Sequence, residues 1–413
     1  MAAVLLCSPF AGAQTPEDVP EVVRELLERG QRLQDDGRHD DAIEAFEDAR
    51  ELSPSVVESY LGLGAARLAT GDTEASLEAF AAGLAVAPDH RNLLFNAAVV
   101  GLRLNRLDRA VGWTAHALDV HRDDVELHVV HATVLSRLDR DAEALEALEA
   151  ADRLSPRTPS ILFRLGNQLH KVGDSERAAR AFRDAIARDR KMLRAHYNLG
   201  AVLFELERDD EALEAYGIAL EPFDELFRSG SLPEPIHAQA YANLGAIHTR
   251  RQDWSAALAA YDKALRLQPE RTAWLYNRGF VHFRAGHEEA ARDDYTAALA
   301  RDTDLPLAYL HLGQLDRRAG DCSAAVGRLE QGLDRFDTRQ RLAALEMMAF
   351  CYTELGRPDQ AETAFRDVLD ASPDDPELLL GLGRLLRRQG QSDEARALLD
   401  RSLDLRRGHL PTQ

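Results

Sequence analysis

The side chains of this chain that are best suited to chemistry are few and scattered. His116, His121, His128 and His131 form its densest histidine group, and neutral imidazole is the commonest protein ligand for a transition metal. No cysteine pair or HExxH pattern completes a ligand set around them, so they read as core or surface histidines. Cys7, Cys322 and Cys351 are the only cysteines, too few for a disulfide framework. A single Cys322–Cys351 bridge is conceivable. Two small helix residues are the simpler reading, because bridging demands tight geometry. The sequence also lacks a glycine-rich phosphate loop, a GxSxG elbow and a CxxC, the short motifs that announce nucleotide, hydrolase or redox chemistry. No catalytic residue, metal site or cofactor is expected.

What the sequence does contain is a beat. Gly30, Gly64, Gly166, Gly200, Gly245, Gly279, Gly313 and Gly383 recur, most neighbours being 34 residues apart. Twelve residues after the glycine stands alanine, as at Ala42, Ala178, Ala212, Ala257, Ala291, Ala325 and Ala395. Sixteen after it stands an aromatic, as at Phe46, Phe80, Phe182, Tyr216, Tyr261 and Tyr295, and twenty-four after it proline recurs at Pro54, Pro88 and Pro269. A period this long marks one supersecondary unit copied along the chain, each copy too small to bury a core alone. Within a copy, Tyr60, Leu63, Gly64 and Leu68 keep helical spacing, Gly71-Asp72 ends the helix, and Leu77, Phe80 and Leu84 continue on a second helix before Pro88-Asp89.

This pattern resembles the tetratricopeptide repeat. Tyr241, Leu244, Gly245, Ala257, Tyr261, Ala264 and Pro269 occupy its positions 4, 7, 8, 20, 24, 27 and 32, and Leu162, Leu165, Gly166, Leu169, Ala178, Phe182 and Ala185 fit a second copy. The resemblance implies an all-α, right-handed superhelical solenoid of about eleven helix-turn-helix units, starting near residues 23, 57, 91, 125, 159, 193, 238, 272, 306, 342 and 376. Ala98, Ala132 and Ala349 replace the glycine in three units. The period breaks by eleven residues after the sixth unit, where a lengthened second helix and a Ser/Gly/Pro loop are expected, and slips by two around Phe336 to Arg341. The expected organisation is a truncated signal peptide over 1–13, a linker over 14–22, units one to six over 23–220, an insertion over 221–237, units seven to eleven over 238–408, and a tail over 409–413.

The resemblance also implies where a partner would lie. In this family the first helix of each unit lines a concave wall, at positions 2, 5, 6, 9, 12 and 13. Those positions bring forward Phe163, Asn167, Arg194, Tyr197, Asn198, Asn243, Arg250, Tyr276, Asn277, Phe280, Arg284 and Arg318. Aromatic rings supply binding area at low entropic cost, and asparagine can both donate to and accept from a peptide backbone. Asparagine and aromatics at these places are also ordinary consensus residues. Position 13 reads Arg103, Arg137, Lys171, Arg250, Arg284, Arg318 and Arg388, interrupted by Glu205 and Glu354, with Arg317, Arg384 and Arg387 nearby. Two readings stay open: cations at the C-terminal end of a helix dipole, which the family consensus favours, or recognition of an acidic segment. The resemblance extends to the carboxylate clamp of chaperone-tail-binding members only at Asn167 and Asn198; Phe163, Gln239 and Asn243 hold the places of its three charged residues, so that clamp is not expected.

Bulk properties narrow the partner class. A net charge of −20 on 413 residues disfavours wrapping a nucleic acid, and no apolar run beyond the N-terminus is long enough to span a bilayer. Ala2 to Leu6 is apolar and Ala11-Gly12-Ala13 forms an A-x-A cleavage pattern, the back half of a secretory signal. The basic leader is missing and the apolar stretch is short, which a start placed too far downstream would explain. The expectation is an exported, non-catalytic scaffold for a protein or peptide segment, acting in envelope assembly. A cytoplasmic adaptor or regulatory subunit is the alternative, and the oligomeric state is left open.

Overall fold

A computed structural model of the chain describes residues 19–228 and 237–408. The leader 1–13, most of the linker, the loop over 229–236 and the tail 409–413 lie outside these residues. Among the described residues there are twenty-two α-helices and no strand. They run in pairs: α1 (Glu21–Asp35) with α2 (His39–Leu52), α3 (Val57–Ala69) with α4 (Thr73–Val86), and α5 (Arg91–Arg103) with α6 (Leu107–Val120). Next come α7 (Val125–Arg137) with α8 (Asp141–Leu154), α9 (Pro159–Lys171) with α10 (Ser175–Arg188), and α11 (Leu193–Glu205) with α12 (Asp209–Arg228). The remaining pairs are α13 (Ala238–Arg250) with α14 (Trp254–Leu267), α15 (Thr272–Ala285) with α16 (Glu288–Leu299), and α17 (Pro306–Arg318) with α18 (Cys322–Gly332). The last are α19 (Thr338–Glu354) with α20 (Pro358–Ala371) and α21 (Pro376–Arg388) with α22 (Ser392–Gly408). Eleven pairs therefore stand where eleven repeats are read. The chain divides into two compact units between Ala219 and Leu220, inside α12.

The recurring glycine and the aromatic sixteen residues later touch each other. A methyl group added to Gly64 would lie 2.4 Å from the Phe80 ring, and one added to Gly245 would lie 2.8 Å from the Tyr261 ring. Gly30 against Phe46, Gly166 against Phe182 and Gly200 against Tyr216 repeat the arrangement. The aromatic rings at these places are fully buried. Each glycine costs about 1 kcal/mol of helix propensity relative to alanine, and close packing of the ring against the facing helix more than offsets it. Where the glycine is lost, the ring is lost with it in two cases: Ala98 is accompanied by Thr114 and Ala132 by Leu148. In the third, Phe365 stays beside Ala349 but is accommodated by Gly381 of the following helix, whose added methyl would lie 2.7 Å from it.

Each A-to-B turn passes through one residue in the left-handed region. Seven of these are glycines, among them Gly71 and Gly286, and the other four are Asn105, Asp139, Glu207 and Gln252, with φ between 57° and 59°. The next residue's N–H typically closes back on the helix, as Arg208 N to Leu203 O at 2.9 Å and Asp253 N to His248 O at 2.9 Å, which is the Schellman bond that satisfies carbonyls at a helix end. Helix B then starts on an aspartate cap in several units, including Asp72, Asp174, Asp253 and Asp321.

The two breaks in the period have visible shapes. Helix α12 carries on through Pro222 to Arg228, as the lengthened second helix was expected to do. Helix α1 begins at Glu21, two residues before the first unit was expected to start. The slip near Phe336 becomes a shortened α18, a 3-10 turn over Leu333–Arg335 and an early start for α19. Asp337 and Gln340 form a reciprocal capping box there, so α19 begins at Thr338 rather than near 342.

Candidate interaction surface on the first helices

Unit by unit, the nominated residues lie on the first helix of a pair and are partly buried or exposed. In the first compact unit, α9 and α11 carry Phe163, Asn167, Arg194, Tyr197 and Asn198. Asn198 Nδ2 donates to Asn167 Oδ1 at 2.6 Å, joining the two helices. Phe163 and Tyr197 lean on the buried rings Phe182 and Tyr216 with centroids 5.9 and 6.0 Å apart, so each aromatic gives one face to its own unit's core. Arg194 is exposed and makes no ion pair among the described residues.

In the second compact unit the nominated residues gather more tightly. Tyr276, Phe280 and Arg284 follow one another up α15, and Arg318 stands on α17. Asn243 accepts from Gln239 Nε2 at 2.8 Å, and Asn277 hydrogen-bonds Tyr261. Arg250 is exposed on α13 with interactions of its own. The group centres on a residue that the sequence reading passed over, His311 of α17. Its ring stacks on Phe283 at 5.3 Å and on Tyr276 at 6.0 Å, and meets Tyr295 at 5.2 Å and Phe280 at 5.9 Å. Burial among these rings lowers its pKa to about 4, because a charged imidazolium there would lose its solvent. The signal was available: His311 occupies position 6, where Asn198, Asn243 and Asn277 stand in other units. Burial likewise raises the Tyr276 hydroxyl to about 12, so the rings of Tyr276 and His311 are uncharged near pH 7 and the charge beside them is that of Arg284 and Arg318.

Most cations at position 13 have a structural occupation. Arg137 donates to Asn105 at 2.9 Å. Lys171 pairs with Asp141 at 2.7 Å and reaches Asp139 at 3.4 Å. Arg284 covers Trp254 at 5.5 Å and Phe280 at 5.8 Å, and Arg318 covers Phe283 at 4.5 Å and reaches Glu288 at 3.5 Å. Each hooks onto the A-to-B turn, or the start of helix B, of the preceding unit. That is a third reason for a cation here, beside the helix dipole and an acidic partner.

The residues with chemical potential do not converge. His116 bonds Asp89 Oδ1 at 2.7 Å, His121 the Asp89 carbonyl at 3.2 Å, His128 the Arg122 carbonyl at 2.8 Å, and His131 the Thr114 hydroxyl at 2.7 Å. Among the described residues no group of three or more His, Cys, Asp or Glu side chains is arranged to hold a metal. Cys322 and Cys351 are buried free thiols; Cys322 Sγ donates to Glu354 at 3.2 Å, and desolvation raises both pKa values. No described helix is long and apolar enough to cross a membrane.

Paired helices at a 34-residue beat, with the glycine of one helix seated on the ring of the next, define a helical repeat protein. Comparison with known families makes this specific. Models of the tetratricopeptide repeat match residues 27–82, 61–126, 163–225 and 216–270, and further ones match 244–311 and 352–411. The chain belongs to the tetratricopeptide repeat family. Among its relatives, Protein FlbA of Caulobacter vibrioides is 28% identical over 206 residues, 49% of this chain and 33% of that protein. The BBSome complex member BBS4 homolog of Drosophila melanogaster is 23% identical over 78% of this chain and 68% of its own length. The chain thus spans about a third of FlbA. A solved structure described as YrrB, a TPR protein with an unusual peptide-binding site, aligns with a TM-score of 0.41 and 23% identity, over 48% of this chain and 97% of that one.

Proposed function

We propose that the protein is a non-catalytic scaffold that holds an extended peptide or protein segment on the inner face of its first helices. The observation that carries this reading is the Tyr276, Phe280, Phe283 and His311 cluster, with guanidinium groups of Arg284 and Arg318 lying over two of its rings. Large rings with fixed orientations are the groups that dominate protein interfaces, and an arginine stacked on a ring keeps its N–H edge available to a carboxylate. An acidic segment is therefore the favoured ligand, and the paired Asn167 and Asn198 offer a backbone-binding counterpart in the first compact unit. The apolar leader and its A-x-A pattern support export and a role in envelope assembly. The test is recovery of partners from the native cell by the wild-type chain and by the Tyr276→Ala/Phe280→Ala/Arg284→Ala variant. Loss of a specific partner with retained helix content is expected; unchanged recovery contradicts the assignment. An intact Met1 on the mature protein contradicts export and leaves a cytoplasmic adaptor.

A further inference from the structure

Cations on the first helices have partners in most units; among the described residues the exceptions include Arg103 of α5, Arg194 of α11 and three arginines gathered on the last first helix, α21. Arg384, Arg387 and Arg388 are exposed on α21 and, among the described residues, make no ion pair, hydrogen bond or ring contact through their side chains. Their spacing of three and one places them on one face of the helix. Arg388 is the position-13 residue of its unit; the preceding turn, Gly356-Arg357-Pro358, contains no acid, and Asp359 at the start of α20 does not pair with it. Three like charges on one helical face repel each other, and the helix C-terminus offsets only part of that. A chain with 70 acidic residues against 50 basic ones nevertheless pairs none of its described acids with these three. Alongside, Arg317 of α17 lies over the Phe350 ring of α19 at 5.9 Å, so an aromatic and a fourth guanidinium share the same run of first helices.

We infer that α21 is the acid-reading end of the interaction surface, binding an extended segment with two carboxylates two residues apart next to an apolar residue that meets Phe350. Arg384 and Arg388 are one helical turn apart, about 6 Å along the axis, and alternate side chains of an extended strand are about 6.5 Å apart on one face. Each carboxylate accepts two N–H groups from a guanidinium in the fork geometry that lysine cannot reproduce. The inference rests on the scaffold reading and adds a position and a polarity to it.

The experiment uses the full chain and a fluorescein-labelled peptide with two glutamates two residues apart beside a leucine, read by anisotropy. A second peptide replaces the glutamates by glutamines, and a single-stranded oligonucleotide serves as the third ligand. Expected are tighter binding of the acidic peptide than of the neutral one by at least tenfold, a comparable loss in Arg384→Gln/Arg387→Gln/Arg388→Gln, and little rescue by three lysines. Equal binding of both peptides, insensitivity to the triple change, or preference for the oligonucleotide overturns the inference. The Tyr276→Ala/Phe280→Ala variant separates the two proposals. If partner recovery from cells needs the rings but acidic-peptide binding ignores the arginines, only the inference fails; if the rings are dispensable for recovery, the scaffold reading fails.

Discussion

Gly64 and Phe80 show how much of this molecule is decided by a single hydrogen atom. Because a methyl group on Gly64 would overlap the Phe80 ring at 2.4 Å, Gly64→Ala should destabilise the chain by about 1–3 kcal/mol through overpacking. Gly112, exposed on α6 with nothing within 4 Å of an added methyl, provides the control: Gly112→Ala should stabilise by about 0.5–1 kcal/mol. Urea unfolding of the two variants distinguishes packing from propensity. His311 gives a second residue-scale expectation. Its folded pKa of about 4 lies below the ordinary histidine value of 6.5, so the unfolded chain takes up a proton that the folded chain refuses. The neutral-histidine contribution is present above pH 6.5 and is lost as pH falls toward 4. His311→Phe should flatten the fall in urea midpoint over that window; an unchanged slope contradicts the buried environment assigned to this ring.

At the scale of the element, the helix pairs were legible because glycine, alanine, aromatic and proline are each bound to a fixed contact or turn. The turn itself was only half legible. Gly71 was read as a helix end, whereas Glu207 and Gln252 carry no turn signature and are held in the left-handed region by the Schellman bonds around them. A side chain in that region costs about 1–2 kcal/mol, part of which glycine would return as unfolded-state entropy. Glu207→Gly and Gln252→Gly should each raise stability by about 0.5–1 kcal/mol in equilibrium unfolding; a loss would mean these side chains hold the turn in place. The early start of α19 escaped the sequence reading for a related reason, since its capping box at Asp337 and Gln340 replaces the usual turn. Of the surface residues, Tyr276, Phe280 and Arg284 were reached through the repeat register. His311 was not, because a buried neutral histidine looks like any other histidine until its ring neighbours are known.

Across the whole molecule, the sequence determines repetition and the structure shows where repetition is broken. The glycine-on-ring contact is restated in most pairs, and the cation that hooks onto the preceding unit's turn or second helix in four, from Arg137 to Arg318. A solenoid's specificity lies in what departs from that uniformity, and the departures on which the two proposals rest are the aromatic cluster around His311 and the exposed arginines of α21. No short motif records the aromatic cluster, because it draws on residues from successive repeats; the arginines are neighbours in sequence, but their lack of partners among the described residues is visible only in the fold. The central claim is that partners lie on the first-helix face. Its most direct test places a photo-crosslinking residue at Phe280 on α15 and, separately, at exposed Asp293 on α16, in the chain expressed in its native cell. The account predicts a discrete crosslinked partner from position 280 and none from position 293. Capture from position 293 with none from position 280 would contradict it.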